Sequence, residues 1–449
     1  MPSIPPSSES VTDALGRPTA LLPRRQLLAM SAYWLGLSSI FAGLIAILSG
    51  RLEFTGLVGE GEAGRALFGT TIAGAIIAMI VQPTIGSVSD YTTSRWGRRK
   101  PYILIGSVLD VVFLIGIALS NDLLAIAAFI SLLQFSSNFA QGPFQGYIPD
   151  LVPARQVGLA SAMVGLFQIL GNVAGFAIGA IAIRTEQFEL GLVALGLLEL
   201  ATMVPVFTGL REGRTPKARR GRSWLSIAAE AWGTDILRER SFLWLVASRL
   251  AILTGGSILV QLAAFYFARS QGLSREGTGD AILVLSGLLA VCVILAVIPS
   301  ARVSDRIGRK KVIYASCAIG ALGLGIVAAA PTLTIAYLGA AIYGVSAGIF
   351  LAVDWALMTD IIPKASSGRY MGLSNVATAS AGVFALAFGG TIMDLVGGME
   401  ELGIGPRSAL ILGVALLLIG AVLLRPVNER RRDEPLLPDL EPAAEPAPA

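Results

Sequence analysis

Apolar residues run along this chain in long stretches rather than in the short alternations of soluble strands or the one-sided stripes of soluble helices. Twelve such runs of about 20 residues fall near 29–50, 66–89, 101–120, 123–147, 157–183, 190–210, 242–268, 280–300, 312–330, 333–358, 370–393 and 407–425. A helix of that length rises about 30 Å, the thickness of a hydrocarbon core. The pattern predicts an all-α membrane protein with twelve transmembrane helices.

Composition agrees with the pattern. Of the 449 residues only 14% are charged, against about 25% in soluble domains. Residues 1–25 are rich in Pro and Ser and have no short apolar core of a leader, so no cleaved signal peptide is expected. Cys292 and Cys317 both fall inside spans and read as packing residues.

Charge sets the orientation. With the N-terminus inside, 27 of the 34 Lys and Arg fall on the cytoplasmic side, 6 on the outer side and one, Arg249, within a span. Both termini are therefore expected in the cytoplasm. Two basic clusters contribute most visibly: Arg95, Arg98, Arg99 and Lys100, then Arg302, Arg306, Arg309, Lys310 and Lys311.

The clusters also mark a repeat. Gly97-Arg98-Arg99-Lys100 aligns with Gly308-Arg309-Lys310-Lys311, Asp90 with Asp305, and Pro149-Asp150-Leu151-Val152-Pro153 with Thr359-Asp360-Ile361-Ile362-Pro363. Six spans carried twice give two pseudo-symmetric six-helix halves. The expected organisation is a disordered cytoplasmic segment at 1–25, a first half at 26–210, a cytoplasmic linker at 211–241, a second half at 242–425 and an acidic, Pro-rich disordered tail at 426–449. Within the linker Trp224, Ala228, Trp232 and Ile236 recur every four residues, as in a short helix lying on the membrane surface; a plain connector is the alternative.

The glycine, aspartate and basic pattern between spans 2 and 3, repeated between spans 8 and 9, resembles the signature of the major facilitator superfamily. The first copy keeps Gly86 and Asp90 but inserts residues to read SDYTTSRWGRRKP, a form similar to that of the sucrose/proton symporters and their relatives. Met79-Ile80-Val81-Gln82-Pro83, Gln141-Gly142-Pro143 and Gly171-Asn172-Val173 extend this likeness. The resemblance implies that spans 1, 4, 7 and 10 line a central cavity and that the halves move by alternating access. It also implies a gating latch at the cytoplasmic face, involving Gly86, Asp90, Arg98, Arg99, Asp305 and Arg309. The second copy has Ala301 in place of Gly86.

Polar side chains within spans are costly and mark a cavity or a partner helix. Gln134, Asn138, Gln141 and Gln145 share one face of span 4, a ladder of amides suited to hydroxyl groups; stitching span 4 to another helix is the alternative. The sucrose symporters carry Asp in place of Gln134 and Arg in place of Gln145, so their coupling carboxylate has no counterpart here. Trp34 and Phe41 on span 1 are candidates to stack on a sugar ring. Arg249 in span 7 and Asp354 in span 10 lie about 12 and 9 Å from the inner end at helical rise, similar depths at which the two can pair. Asp354 is then the candidate to take up a coupling proton; a permanent pair in a facilitator is the other reading. Asp110 and Glu199, in spans 3 and 6, read as scaffold residues. Gly171, Gly175 and Gly179 in span 5 form a smooth surface, expected to meet the other half or to serve static packing.

An enzyme is not expected. Gly344-Val345-Ser346-Ala347-Gly348 matches a nucleophile elbow, but it lies inside span 10 and the chain has no histidine. There is no Walker loop, and no cofactor, metal or nucleic-acid partner is expected. Three readings remain: a carrier, expected to be monomeric, for a small hydroxylated solute such as a glycoside or disaccharide, with protons as the possible coupling ion; an exporter of amphipathic compounds, favoured if the cavity is apolar and the span 4 amides turn away; and a membrane assembly or pigment-handling factor, favoured if no continuous cavity exists.

Overall fold

The computed structural model describes residues 20–59, 62–92, 94–210, 212, 223, 240–361, 378, 380–397 and 403–427. All regular structure among them is helical. The spanning helices are α1 (Arg24–Phe54), α2 (Ala63–Ser89), α3 (Lys100–Leu119), α4 (Leu123–Gln145), α5 (Val157–Thr185), α6 (Phe188–Gly209), α7 (Arg240–Gln261), α8 (Arg275–Ile307), α9 (Arg309–Ala329), α10 (Leu333–Ile361), α11 (Ser380–Val396) and α12 (Ile404–Leu423). All but α11 are at least 18 residues long and apolar enough to cross a bilayer. Residues 370–377 of the eleventh expected run, and Trp224, Ala228, Trp232 and Ile236 of the expected surface helix, lie outside the described residues.

Packing follows the sequence repeat. In the first half α1 packs on α5 and α6, α2 on α4, and α3 on α4 and α6. Six helices later α7 packs on α12, α8 on α10, and α9 on α10 and α12. The halves meet where α5 crosses α8 and α2 crosses α11. The starts of α1 and α7 and the ends of α6 and α12 lie at one face, called here the terminal face; Lys100 Nζ donates to Leu210 O at 2.6 Å, and Lys310 Nζ to Arg425 O and Val427 O at 3.0 and 2.8 Å. These matching bonds tie the third helix of each half to the end of its sixth.

The two basic clusters differ in backbone. At the first, α2 ends at Ser89, α3 begins at Lys100, and the chain turns at Gly97, φ 117°, just before α3. The second copy has no breaker before Gly308, so α8 runs beyond the expected end near 300 and carries Arg302, Asp305 and Arg306 on its last turns. Gly308, at φ 96°, then reverses the chain directly into α9, a conformation that disfavours any residue with a Cβ.

The α5 glycines face α1 of the same half, not the opposite half, which corrects the expected sliding surface. A Cβ on Gly171 would meet the backbone of Leu35, on Gly175 that of Ser39 and Gly43, and on Gly179 the Ala46 side chain. Small residues let α1 and α5 touch backbone to backbone, which leaves little room for relative sliding. Gly175→Ala is expected to lower stability by about 1–3 kcal/mol through overpacking. Gly165→Ala, whose Cβ meets open space, should be neutral or gain about 0.5–1 kcal/mol. Apparent unfolding temperatures in detergent compare the two, and equal effects would place α1 and α5 in looser contact than described.

Candidate functional site

A cavity of about 460 Å³ lies between the halves. Phe41 and Ile45 of α1 and Asn172 and Phe176 of α5 line it from the first half; α7, α8, α10 and α12 line it from the second. Most of the wall is apolar. The polar groups that reach it are Asn172, Ser257, Gln261, Ser286, Tyr343 and Ser346. Ser286 Oγ donates to Leu283 O and Ser346 Oγ to Ser316 O, so both hydroxyls present lone pairs rather than protons. Gly256 makes room for the Tyr343 hydroxyl, since a Cβ there would collide with it.

The amide face of α4 is turned elsewhere. None of Gln134, Asn138, Gln141 and Gln145 lines this cavity, and α4 as a whole contributes nothing to its wall. Gln134 packs against Gly74 of α2, its Oε1 buried with no donor among the described residues. Asn138, 4% exposed, gives its amide to Gln134 O at 2.8 Å. Gly74 and Gly86 of α2 lack side chains, so that helix closes onto α4, Gly74 against Gln134 and Gly86 against Gly142. Gly86 thus serves the α2–α4 contact. Of the two aromatic candidates, Phe41 reaches the cavity, whereas Trp34 packs on Phe144, ring centroids 5.7 Å apart, beside the Tyr33–Phe144 contact at 4.7 Å.

Arg249 and Asp354 meet: Arg249 Nε lies 3.3 Å from Asp354 Oδ2, with each side chain 3% exposed. Arg249 Nη1 also lies 3.3 Å from Met358 Sδ. The pair stands one helical turn from the cavity residues Ile252 and Leu253 on α7 and Phe350 and Leu351 on α10, toward the terminal face.

The first basic cluster forms a knot within its own half. Arg99 pairs with Asp90 at 3.0 Å and with Asp150, and Arg98 also pairs with Asp150. Glu212 accepts the backbone N–H groups of Arg99 and Lys100 at 2.9 and 3.0 Å, placing a carboxylate at the positive end of α3. It also accepts from Tyr147, whose phenol is pushed up by burial and by Glu212 itself and so keeps its proton. In the second copy Asp305, 70% exposed, lies 3.8 Å from Arg309 four residues on. The ion pairs that these charged gating candidates make with described residues lie within a half, whereas the latch reading expects pairing across the halves when that face is closed.

The bridge between halves sits at the far face and was not anticipated from the sequence. Four ion pairs between described residues join the halves, and all four lie there: Glu53–Arg269 at 2.6 Å, Arg184–Asp280 at 3.1 Å, Glu186–Arg275, and Arg65–Asp394 at 3.7 Å. Asp394 also accepts the backbone N–H groups of Gly64 and Arg65, at 3.1 and 2.7 Å, capping α2 from across the interface. Gly64 and Gly390 touch backbone to backbone at the same place. The remaining far-face arginines close helix ends: Arg51 donates to Ile117 O and Ser120 O after α3, and Arg407 to Ala328 O and Ala330 O after α9. The six basic residues that run against the charge bias are these six, which is the signal that would have found them.

Two pseudo-symmetric helical halves, a cavity between them and a clasp at one face define a membrane transporter fold. The chain matches the family model of the Major Facilitator Superfamily over residues 27–385 and 276–445, and it belongs to that superfamily. It is an integral multi-pass membrane transporter, not an enzyme. Among curated proteins it is 33% identical over 131 residues to a sucrose transport protein, SUT1, of Oryza sativa subsp. japonica, covering 24% of each chain. It is 26% identical over 193 residues to the sucrose transport protein SUC4 of Arabidopsis thaliana, covering 39% of this chain and 37% of that one. A membrane-associated transporter protein of Homo sapiens is 33% identical over 125 residues, 24% of this chain and 23% of that one. The matched segments thus span 23–37% of these relatives' length. Among solved structures, a bacterial homolog to the human lysosomal transporter Spinster, inward-facing and unoccupied, superposes with TM-score 0.69 at 15% identity, covering 91% of this chain and 98% of that one. A D-xylose-proton symporter superposes with TM-score 0.67 at 17% identity, covering 90% and 98%.

Proposed function

We propose that the protein carries a small hydroxylated solute with an apolar part, of the glycoside or disaccharide class, by alternating access. The observation that carries this reading is the cavity between the halves, where aromatic and aliphatic walls from both halves surround a few amides and hydroxyls. An apolar wall suits the faces of a sugar ring or an aglycone, and scattered polar groups fix its hydroxyls. The likeness to proteins named as sucrose transporters supports the solute class. Both termini lie in the cytoplasm in this reading, on the charge bias. Arg249 and Asp354, next to the cavity, serve energy coupling: a proton taken up by Asp354 releases Arg249.

A second reading has its own support. The largely apolar wall and the absence of α4 amides from it favour an exporter of amphipathic compounds. A continuous cavity speaks against an assembly factor. Uptake into proteoliposomes from a panel of disaccharides, aryl glycosides and amphipathic cations, with and without an imposed pH gradient, separates the two. Accumulation of a glycoside that follows the pH gradient supports the carrier, and movement of amphipathic cations alone supports the exporter. Asn172→Ala and Gln261→Ala should each weaken binding of the accepted glycoside about tenfold, near 1.4 kcal/mol, as expected for a hydroxyl left without its partner. Unchanged affinity in both variants would move the binding site away from this cavity.

A further inference from the structure

A second group of buried acids lies in the first half, outside the cavity. Asp110 of α3 and Glu199 of α6 are both 0% exposed. Asp110 Oδ1 accepts from Ser136 and Oδ2 from Ser137 at 2.7 Å. Glu199 Oε1 accepts from Tyr33 Oη at 3.0 Å and from Ser107 Oγ at 2.9 Å. Ser107, which bonds Glu199, stands one turn before Asp110 on α3, so the two carboxyls are neighbours in one buried cluster. Glu199 Oε2 is buried and meets no donor among the described residues.

The groups that face the pair come from three helices. Tyr33 of α1 is the titratable one besides the acids themselves; α3 adds the Ser107 hydroxyl and α4 the hydroxyls of Ser136 and Ser137. No cation among the described residues supplies a counter-charge. Two ionised carboxylates offer acceptors only, which leaves Glu199 Oε2 unsatisfied, and two like charges side by side at zero exposure cannot both persist. A single proton removes both conflicts. Every other oxygen of the pair already has a hydroxyl donor, so Glu199 Oε2 is where that proton satisfies the remaining acceptor.

The geometry assigns to Asp110 and Glu199 a proton-binding site, in which a proton resident on Glu199 Oε2 is donated to the Asp110 carboxylate. The proton joins α3 to α6, and the Tyr33 hydroxyl connects the site to α1, whose Phe41 lines the cavity two turns further along. The site stands independently of which solute the protein carries.

Infrared spectroscopy of the purified full-length protein in detergent at neutral pH tests the assignment. The wild type should show the carbonyl stretch of a buried, protonated carboxylic acid, slow to exchange in heavy water. Glu199→Gln, isosteric with the protonated acid and still a donor to Asp110, should keep the fold and remove that component. Asp110→Asn and Tyr33→Phe change only the partners of Glu199, and each should shift the frequency of the component while leaving its intensity. A wild type without the component, its survival in Glu199→Gln, or its loss in Asp110→Asn would each overturn the assignment. The wild-type and Asp110→Asn spectra keep the test decisive if Glu199→Gln fails to fold.

Discussion

Arg249→Met is expected to destabilise the protein by about 3–5 kcal/mol, because it strands the Asp354 carboxylate at 3% exposure without its 3.3 Å partner. Much of an ion pair's attraction in a low-dielectric site only offsets the cost of taking both charges out of water. Removing one charge therefore exposes the full cost of the other, whereas removing both removes both costs. The double variant Arg249→Met/Asp354→Leu should accordingly recover most of the lost stability. Apparent unfolding temperatures in detergent, taken at one scan rate, report the sequence of effects. Transport separates structure from coupling: Asp354→Asn should abolish accumulation driven by a pH gradient while retaining exchange at equal concentrations. If Arg249→Met changes stability by less than about 0.5 kcal/mol, the effect of an ordinary surface substitution, the pair is not what holds α7 to α10.

Asp394→Ala should open the far face. The substitution removes two charge-assisted bonds to the start of α2, each worth about 1.5–3 kcal/mol, along with the attraction to Arg65. These contacts join the halves in the described state, so their loss acts on the balance between states as well as on the fold. A shift of about 3 kcal/mol changes that balance by roughly two orders of magnitude. The rate at which a membrane-impermeant thiol reagent labels Ser257→Cys from the far side, in a background lacking Cys292 and Cys317, should rise at least tenfold, an order-of-magnitude expectation from the same shift. A rate equal to that of the parent would remove Asp394 from the clasp.

Much of the molecule was legible in the primary structure because lipid leaves few options. A backbone crossing a bilayer must satisfy its own hydrogen bonds, so each long apolar run has to be a helix, and the basic clusters recur because the six-helix unit does. The contact between Arg249 and Asp354 follows from depth: counting helical rise from the terminal-face ends of spans 7 and 10 puts both charges at one level, where each needs the other. The amide face of α4 shows where such counting stops. The spacing of Gln134, Asn138, Gln141 and Gln145 establishes that they share a face, but the neighbour of that face is chosen by Gly74 and Gly86, which lie on another helix. The α5 glycines failed as a sliding surface for the same reason, since it is Leu35, Ser39 and Gly43 of α1 that fill the space they leave.

Span count, the twofold repeat and the charge bias were thus determined by the sequence by itself, because each depends on the solvent a segment meets, and that is a local property of composition. Tertiary structure alone decided which faces line the cavity, that Asp110 and Glu199 meet from helices 89 positions apart, and that Glu53, Arg65, Arg184, Glu186, Arg269, Arg275, Asp280 and Asp394 form one clasp. Those outcomes depend on rotation of each helix about its axis and on the small residues its neighbours present. In a bilayer the hydrophobic effect does not select between apolar faces, so packing and hydrogen bonding between helices make that choice.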